Sequence, residues 1–216
     1  MVSKSNSIID SIITNSDEKE KNDKFYENIS GRIQNDFRND IVSDPAIMSY
    51  GKMLFQPNMP FPAIERLNKS IRSDMRYLLK LKIKINEGNV EKIKSIGDAL
   101  QRDKFDHVCA AVNSLSKIKD NGNENASVTT IFGRILPVLT NTLITELEKD
   151  KSDNDEKKNK KLNDLNKFLN IFKFQWKYQV SKTARFVMRT KKLPAQNIVP
   201  LEDDLILFNS GLKKKN

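Results

Sequence analysis

The sequence is poor in the residues that build disulfides, zinc sites and nucleophilic active sites. Its 216 residues include one cysteine, Cys109, and one histidine, His107. A single cysteine excludes an internal disulfide and a cysteine-rich zinc site. Residues two apart on a helix point in different directions, so His107 and Cys109 do not predict a nucleophile–base pair.

Motifs for phosphate cradles and serine nucleophiles are also absent. The sequence contains no GxxxxGK[ST], no GxGxxG and no GxSxG. The adjacent acids Glu202, Asp203 and Asp204 are more typical of the first turn of a helix than of a catalytic or Mg²⁺ site. We therefore predict a protein that is not an enzyme and that has no cofactor and no metal.

Glycine and proline are scarce, with seven of each. Few tight turns can form, which favours helices over a many-stranded sheet. The predicted fold is all-α, an irregular bundle of five to seven helices. No stretch approaches the ~20 apolar residues of a membrane helix, and the N-terminus lacks a signal-peptide pattern. We expect no integral membrane contact and a cytoplasmic or nuclear location.

Composition shifts divide the chain into segments. A polar run at 16–24 and a run without apolar residues at 149–161 are typical of exposed, flexible chain. The predicted organisation is a flexible N-terminal arm at 1–24, a helical core domain at 25–148, a charged linker at 149–161, a C-terminal basic helical lobe at 162–210, and a basic tail at 211–216.

Periodicity predicts the helices of the core domain. Apolar residues spaced four apart predict one helix over 25–41. Asp44 and Pro45 predict the start of a helix that Gly51 ends, and the proline-rich 56–62 predicts a connector. A helix follows from Ala63 to Asn86, although the alternation in LKLKIKI (79–85) also fits a strand.

The later helices are predicted over 90–101, 103–118, 128–148 and 162–192. The third of these is the most apolar and is expected to form the centre of the core, with a kink at Pro137. The fourth would present an apolar face that includes Leu165, Phe172 and Trp176 to the body of the protein.

Positive charge is concentrated near the C-terminus. Residues 157–192 contain twelve lysines and arginines and one acid, a net of 12 − 1 = +11, against +10 for the whole chain. The rest of the protein is therefore close to neutral. A basic surface on one helix favours a polyanionic partner.

Two rows of cations at helical spacing sharpen this expectation. The first row lies along 162–192 and consists of one aromatic residue and four cations: Tyr178, Lys182, Arg185, Arg189 and Lys192. Three further cations flank it: Lys173, Lys177 and Lys191. The second lies on the helix from Ala63: Lys69, Arg72, Arg76 and Lys80, continued by Lys82 and Lys84. If the two helices pack side by side, the rows merge into one groove.

The aromatic residues of the basic helix allow two interpretations. Phe172, Phe174, Trp176 and Tyr178 alternate along the sequence, so they cannot all face one way on a helix. Stacking on nucleic-acid bases is one use for them, and core packing is the more usual one.

Apolar clusters in both terminal segments predict contacts with partners or with a second copy of the chain. They are Ile8, Ile9, Ile12 and Ile13 near the N-terminus, and Leu205, Ile206 and Phe208 near the C-terminus.

The favoured function is non-enzymatic binding of RNA or DNA backbone, with RNA slightly preferred, as a nucleoprotein, packaging or ribonucleoprotein subunit. The alternative is a helical scaffold subunit of a multiprotein complex whose basic face docks an acidic protein. A membrane-surface role for the amphipathic 162–192 helix ranks third.

Overall fold

The computed structural model describes residues 19–88, 92–116, 126–150 and 155–181. These residues form helices and no strand, which confirms the all-α prediction. We number seven α-helices in chain order: α1 (described over 19–28), α2 (Asn35–Val42), α3 (Pro45–Leu54), α4 (Ala63–Gly88), α5 (Phe105–Ser116), α6 (Ala126–Lys149) and α7 (Asp155–Trp176). Three 3₁₀ turns, Ser30–Arg32, Ile96–Ala99 and Arg102–Lys104, and a π-helical turn, Lys177–Ser181, complete the described elements.

Residues 25–41 do not form the single helix that we predicted, but the apolar residues of this segment are buried as expected. The chain leaves α1 through the 3₁₀ turn and is extended at Ile33 before α2 begins. Phe25, Ile29, Ile33 and Ile41 are nevertheless buried in the core. A spacing of four residues therefore marked the buried side chains correctly, although the backbone between them is not one helix.

The start of α3 follows the prediction, and its end does not. Asp44 is the N-cap, its carboxylate accepting from the backbone N–H groups of Ala46 and Ile47, and Pro45 is the first helical residue. The helix runs through Gly51 to Leu54. A Cβ at Gly51 would lie 2.8 Å from Met75 Sδ and 3.0 Å from Phe25 Cζ. Glycine is required here for close packing of α3 on α4, and not to end the helix.

This packing predicts the effect of the Gly51→Ala substitution. Met75 and Phe25 are buried, so neither can move aside into solvent. We expect a loss of about 1–3 kcal/mol in the free energy of unfolding from overpacking, which outweighs the ~0.5–1 kcal/mol that alanine gains in a helix. Urea unfolding followed by circular dichroism measures the change. Met53→Ala, at a half-exposed position of the same helix, should change stability by less than about 0.5 kcal/mol; equal losses would contradict the packing role of Gly51.

Helix α4 confirms the continuous-helix interpretation of 63–86 and includes all of LKLKIKI. It packs against α2, α3, α5 and α6. Leu79, Leu81 and Ile85 are buried, whereas Ile83 is 41% exposed. Because α4 has neighbours on several sides, apolar residues are buried at a spacing that would elsewhere indicate a strand.

The helix predicted over 90–101 is wrong. Residues 92–95 are irregular, and only the 3₁₀ turn Ile96–Ala99 follows them. Ser95 Oγ accepts from the backbone N–H of Gly97, and the Asp98 carboxylate accepts from the backbone N–H of Ser95. This reciprocal capping fixes a tight turn at a point where the sequence suggested regular helix.

Helix α6 lies at the centre, in contact with α3, α4, α5 and α7, as predicted. By length and composition its segment Ser127–Lys149 could cross a membrane, contrary to the expectation that no stretch of the chain approaches such a helix. Half of its most apolar window is buried inside the fold. A central core helix of a globular protein has these same properties.

Two buried carboxylates join the helices. Asp44 accepts hydrogen bonds from Ser95 Oγ and the Ile96 N–H and forms an ion pair with Lys82, at N–O and O–O distances of 2.7–2.9 Å. Asp74 accepts from the Tyr50 hydroxyl at 2.9 Å and from both terminal nitrogens of Arg134 at 2.9 and 2.7 Å. Burial raises the pKa of Tyr50, and the charge of the neighbouring Asp74 raises it further. The hydroxyl therefore stays protonated and acts as a hydrogen-bond donor.

Candidate nucleic-acid interface

Helix α7 has one face in the core. Leu165, Phe168, Phe172 and Trp176 are buried, as is Val180 of the π-helical turn that follows. All five belong to the same hydrophobic cluster as the residues of α3 to α6. Residues 155–161, which we predicted as part of a linker, form the first turns of α7. The helix is therefore packed on α5 and α6 along the common core.

The opposite face of α7 is exposed and carries lysines and asparagines between Glu156 near its start and Phe174 near its end. It follows steps of three and four residues along the helix, which places its members in one row on a cylinder of 3.6 residues per turn. We call this row the outer face; its members, all exposed, are Lys160, Asn163, Lys167, Asn170, Phe174 and Lys177. The buried row opposite fixes its orientation, since α7 cannot rotate without exposing the core residues.

The aromatic residues of α7 divide into an inner and an outer pair. Phe172 and Trp176 are buried and stacked, with ring centroids 4.5 Å apart and an interplanar angle of 20°. Phe174 and Tyr178 are 75% and 68% exposed. Core packing therefore accounts for Phe172 and Trp176, and stacking on bases stays a prediction for the exposed pair. Phe174 was not among the predicted site residues, and the lysines and asparagines at its own helical spacing are the signal that could have identified it.

The lysines around the outer pair make no ion pair with any residue that the structure describes. Lys160, Lys167, Lys173 and Lys177 are exposed, and Lys177 Nζ lies 5.8 Å from the Tyr178 ring centroid. This surface combines lysines outside any ion pair of the described residues with two aromatic rings exposed to solvent.

The predicted row on α4 is partly engaged within the protein. Arg72 donates to the Asn28 carbonyl at 2.8 Å and to the Glu65 carboxylate at 3.2 Å, and Arg76 Nε donates to the Arg72 carbonyl. Lys69 and Lys80 are exposed. Lys82, predicted to continue the row, instead reaches the buried Asp44.

Where the structure describes them, α4 and α7 do not pack side by side, which was the condition for the two basic rows to merge. Helices α5 and α6 pack against both α4 and α7, whereas α4 and α7 make no extensive contact with each other. Of the predicted nucleic-acid residues, the structure places Lys173 at the end of α7, Lys177 and Tyr178 in the π-helical turn that follows it, and Lys69 and Lys80 elsewhere. The outer face spans seventeen residue steps from Lys160 to Lys177, which at ~1.5 Å per residue is a length of roughly 26 Å.

The remaining predicted residues lie outside the described part of the chain. They are the cations Lys182, Arg185, Arg189, Lys191 and Lys192, and the apolar residues Ile8, Ile9, Ile12, Ile13, Leu205, Ile206 and Phe208. Their roles in binding nucleic acid or partners stay predictions.

The thiol of Cys109 is not an activated nucleophile. Burial, with a smaller contribution from the charge of Asp106, raises the pKa of Cys109 to about 12. The thiol is therefore protonated at neutral pH. His107 is exposed on the same helix. Among the described residues, no group of three or more histidine, cysteine, aspartate or glutamate side chains could hold a metal ion.

Comparison of the chain with protein-family models, with curated proteins and with solved structures finds no match. The outer face of α7 is therefore interpreted from its own residues and geometry.

Proposed function

We propose that the protein is a non-enzymatic nucleic-acid-binding protein that engages single-stranded RNA or DNA along the outer face of α7. The observation that carries this proposal is the pair of exposed aromatic rings, Phe174 and Tyr178, beside the exposed lysines of the outer face. Proteins that bind single strands combine a positive track for the phosphates with aromatic rings on which bases stack. RNA stays the slightly favoured partner, as the sequence suggested.

Exposed aromatic residues favour a single strand over a duplex. A duplex hides the faces of its bases, so it offers phosphates to Lys160 and Lys167 but no base to Phe174 or Tyr178. An unpaired strand can satisfy both kinds of side chain at once. The asparagines of the row, Asn163 and Asn170, can hydrogen-bond to sugar, phosphate or base without requiring one sequence.

The composition of the outer face argues against the alternative of an acidic protein partner. Phenylalanine and tyrosine are enriched at protein–protein interfaces, but lysine is depleted there. An interface with a protein would desolvate several lysines, whereas phosphates would keep them partly hydrated and release counterions.

A change of charge on the outer face tests the phosphate contacts. The variant Lys160→Gln/Lys167→Gln/Lys177→Gln should bind a labelled single-stranded oligonucleotide more weakly, as measured by fluorescence anisotropy between about 50 and 200 mM salt. Each phosphate contact in a single strand contributes about 0.7 to the slope of log affinity against log salt. The loss of three contacts should therefore reduce that slope by about 2.

A matched control carries the same change of net charge at exposed lysines away from α7. The variant Lys69→Gln/Lys80→Gln/Lys92→Gln should nearly retain the slope and the affinity. If it loses as much as the α7 variant, the charge of the whole protein or the row on α4 is responsible, and the assignment to the outer face is wrong. Poly-glutamate should compete poorly with the oligonucleotide, since it has no bases; strong competition would favour the acidic-partner alternative.

Removal of the two exposed rings tests the stacking contacts separately. Base–aromatic stacking is worth about 1–3 kcal/mol per base, so Phe174→Ala/Tyr178→Ala should weaken binding at least about tenfold while leaving the salt slope unchanged. Because both rings are largely exposed, the helical circular-dichroism signal should stay the same.

A further inference from the structure

A groove opens beside the outer face, between α6 and α7. It encloses about 330 Å³ and is lined by Pro137, Asn141, Leu169, Phe172, Lys173, Trp176 and Lys177. Lys177 belongs both to this groove and to the outer face. A volume of this size lies at the lower end of the range found for small-molecule sites.

The wall of the groove is flat and aromatic. Phe172 and Trp176 stack on each other and contribute to the lining. A glycine of α6 makes room for the indole, since a Cβ at Gly133 would lie 3.1 Å from Trp176 Nε1. A planar apolar group is the shape that fits against such a wall.

Trp176 has a buried polar group without a partner. Its side chain is 5% exposed, and its Nε1 has no hydrogen-bond acceptor among the residues that the structure describes. A buried N–H that lacks an acceptor costs about 1–3 kcal/mol. This N–H faces Gly133 of α6, which does not line the groove, so Trp176 contributes its ring and not its N–H to the site.

The rim of the groove selects the charge of the ligand. Lys173 and Lys177 are exposed at its edge, Asn141 supplies an amide, and no carboxylate belongs to the lining. The complementary ligand is therefore a planar ring joined to a negatively charged group. A nucleobase with its phosphate has this chemistry.

We infer that the α6–α7 groove takes one base of the bound strand, held against Phe172 and Trp176, with the adjacent phosphate on Lys173 and Lys177. This inference rests on the proposed function, since the strand on the outer face delivers the base. It adds a second mode of contact, in which one nucleotide leaves the solvent-exposed row and inserts between the helices.

Trp176 reports directly on this site because it is the only tryptophan in the chain. The full-length protein is titrated with a single-stranded RNA of about ten nucleotides and with an abasic strand of equal phosphate number. The base-containing strand should change the emission of Trp176 in a saturable way, and the abasic strand should leave it unchanged.

The variant Asn141→Phe fills the groove from an exposed position on α6. We expect it to abolish the emission change and weaken RNA binding by about tenfold, the contribution of one stacked base. The control variant Thr130→Phe adds the same ring at an exposed position of α6 outside the lining and should behave as the unmodified protein.

The possible outcomes separate the groove from the outer face. RNA that binds with a steep salt dependence and leaves Trp176 emission unchanged overturns the groove inference and spares the proposed function. An Asn141→Phe variant with normal affinity also overturns the groove inference. If no oligonucleotide binds at all, both proposals fail.

Discussion

Substitution of Asp44 by alanine should lower the free energy of unfolding by about 3–5 kcal/mol, the usual cost of removing one partner from a buried ion pair. Asp44 is fully buried, and its carboxylate accepts from three backbone N–H groups and from Ser95 Oγ in addition to Lys82. Without it, α3 loses its N-cap, residues 95–96 lose their anchor, and the Lys82 ammonium, only 15% exposed, has no counterion.

Urea unfolding followed by circular dichroism measures this loss. Asp44→Ala/Lys82→Met should recover part of the stability, because it removes the unpaired charge as well. The control is Asp40→Ala, at an exposed position of α2, which should stay within about 0.5 kcal/mol of the unmodified protein. If Asp44→Ala costs no more than the ~1 kcal/mol of an ordinary N-cap, the carboxylate does not join these segments.

Substitution of Asp74 by alanine should lower the free energy of unfolding by about 2–4 kcal/mol. The Tyr50 hydroxyl is fully buried and would lose its acceptor, which costs about 1–3 kcal/mol. Arg134 would lose a bidentate partner, but its side chain is 54% exposed and can be hydrated. This exposure is why we expect a smaller loss than at Asp44.

A double-mutant cycle tests the coupling at Asp74. Arg134→Ala alone leaves a buried carboxylate with one donor, and the double variant Asp74→Ala/Arg134→Ala should cost less than the sum of the two single losses by about 0.5–3 kcal/mol. Tyr50→Phe, which keeps the ion pair, should cost about 1 kcal/mol. Strict additivity of Asp74→Ala and Arg134→Ala would show that the pair does not contribute as a unit.

The sequence predicted the helical class, the cap at Asp44 and the buried row of α7, because each depends on local spacing. It did not predict that Lys82 and Ser95 meet Asp44, since these residues are 38 and 51 positions away and the contact depends on tertiary packing. The same limit explains Gly51: its need for glycine arises from Met75 on another helix, which no local pattern reveals.

For the candidate site, the sequence identified the helix but not the full surface. The spacing of Lys173, Lys177 and Tyr178 was sufficient to place them close together at the end of α7 and in the turn that follows it, and the structure shows them exposed. Phe174 and Trp176 could have been assigned to opposite sides, because one shares its helical row with Lys167 and Asn170 and the other with Leu165 and Leu169. The α6–α7 groove could not be predicted, since it depends on how Gly133 and Pro137 lie against α7.

The residues of the outer face contribute nothing to the core, because they extend into solvent from a helix held by its other side. Substitutions there can accumulate without unfolding the protein. A library that varies Lys160, Asn163, Lys167, Asn170, Phe174 and Lys177 would consequently yield mostly folded members. The preference of such a protein for one ligand over another is thus free to evolve independently of its thermal tolerance.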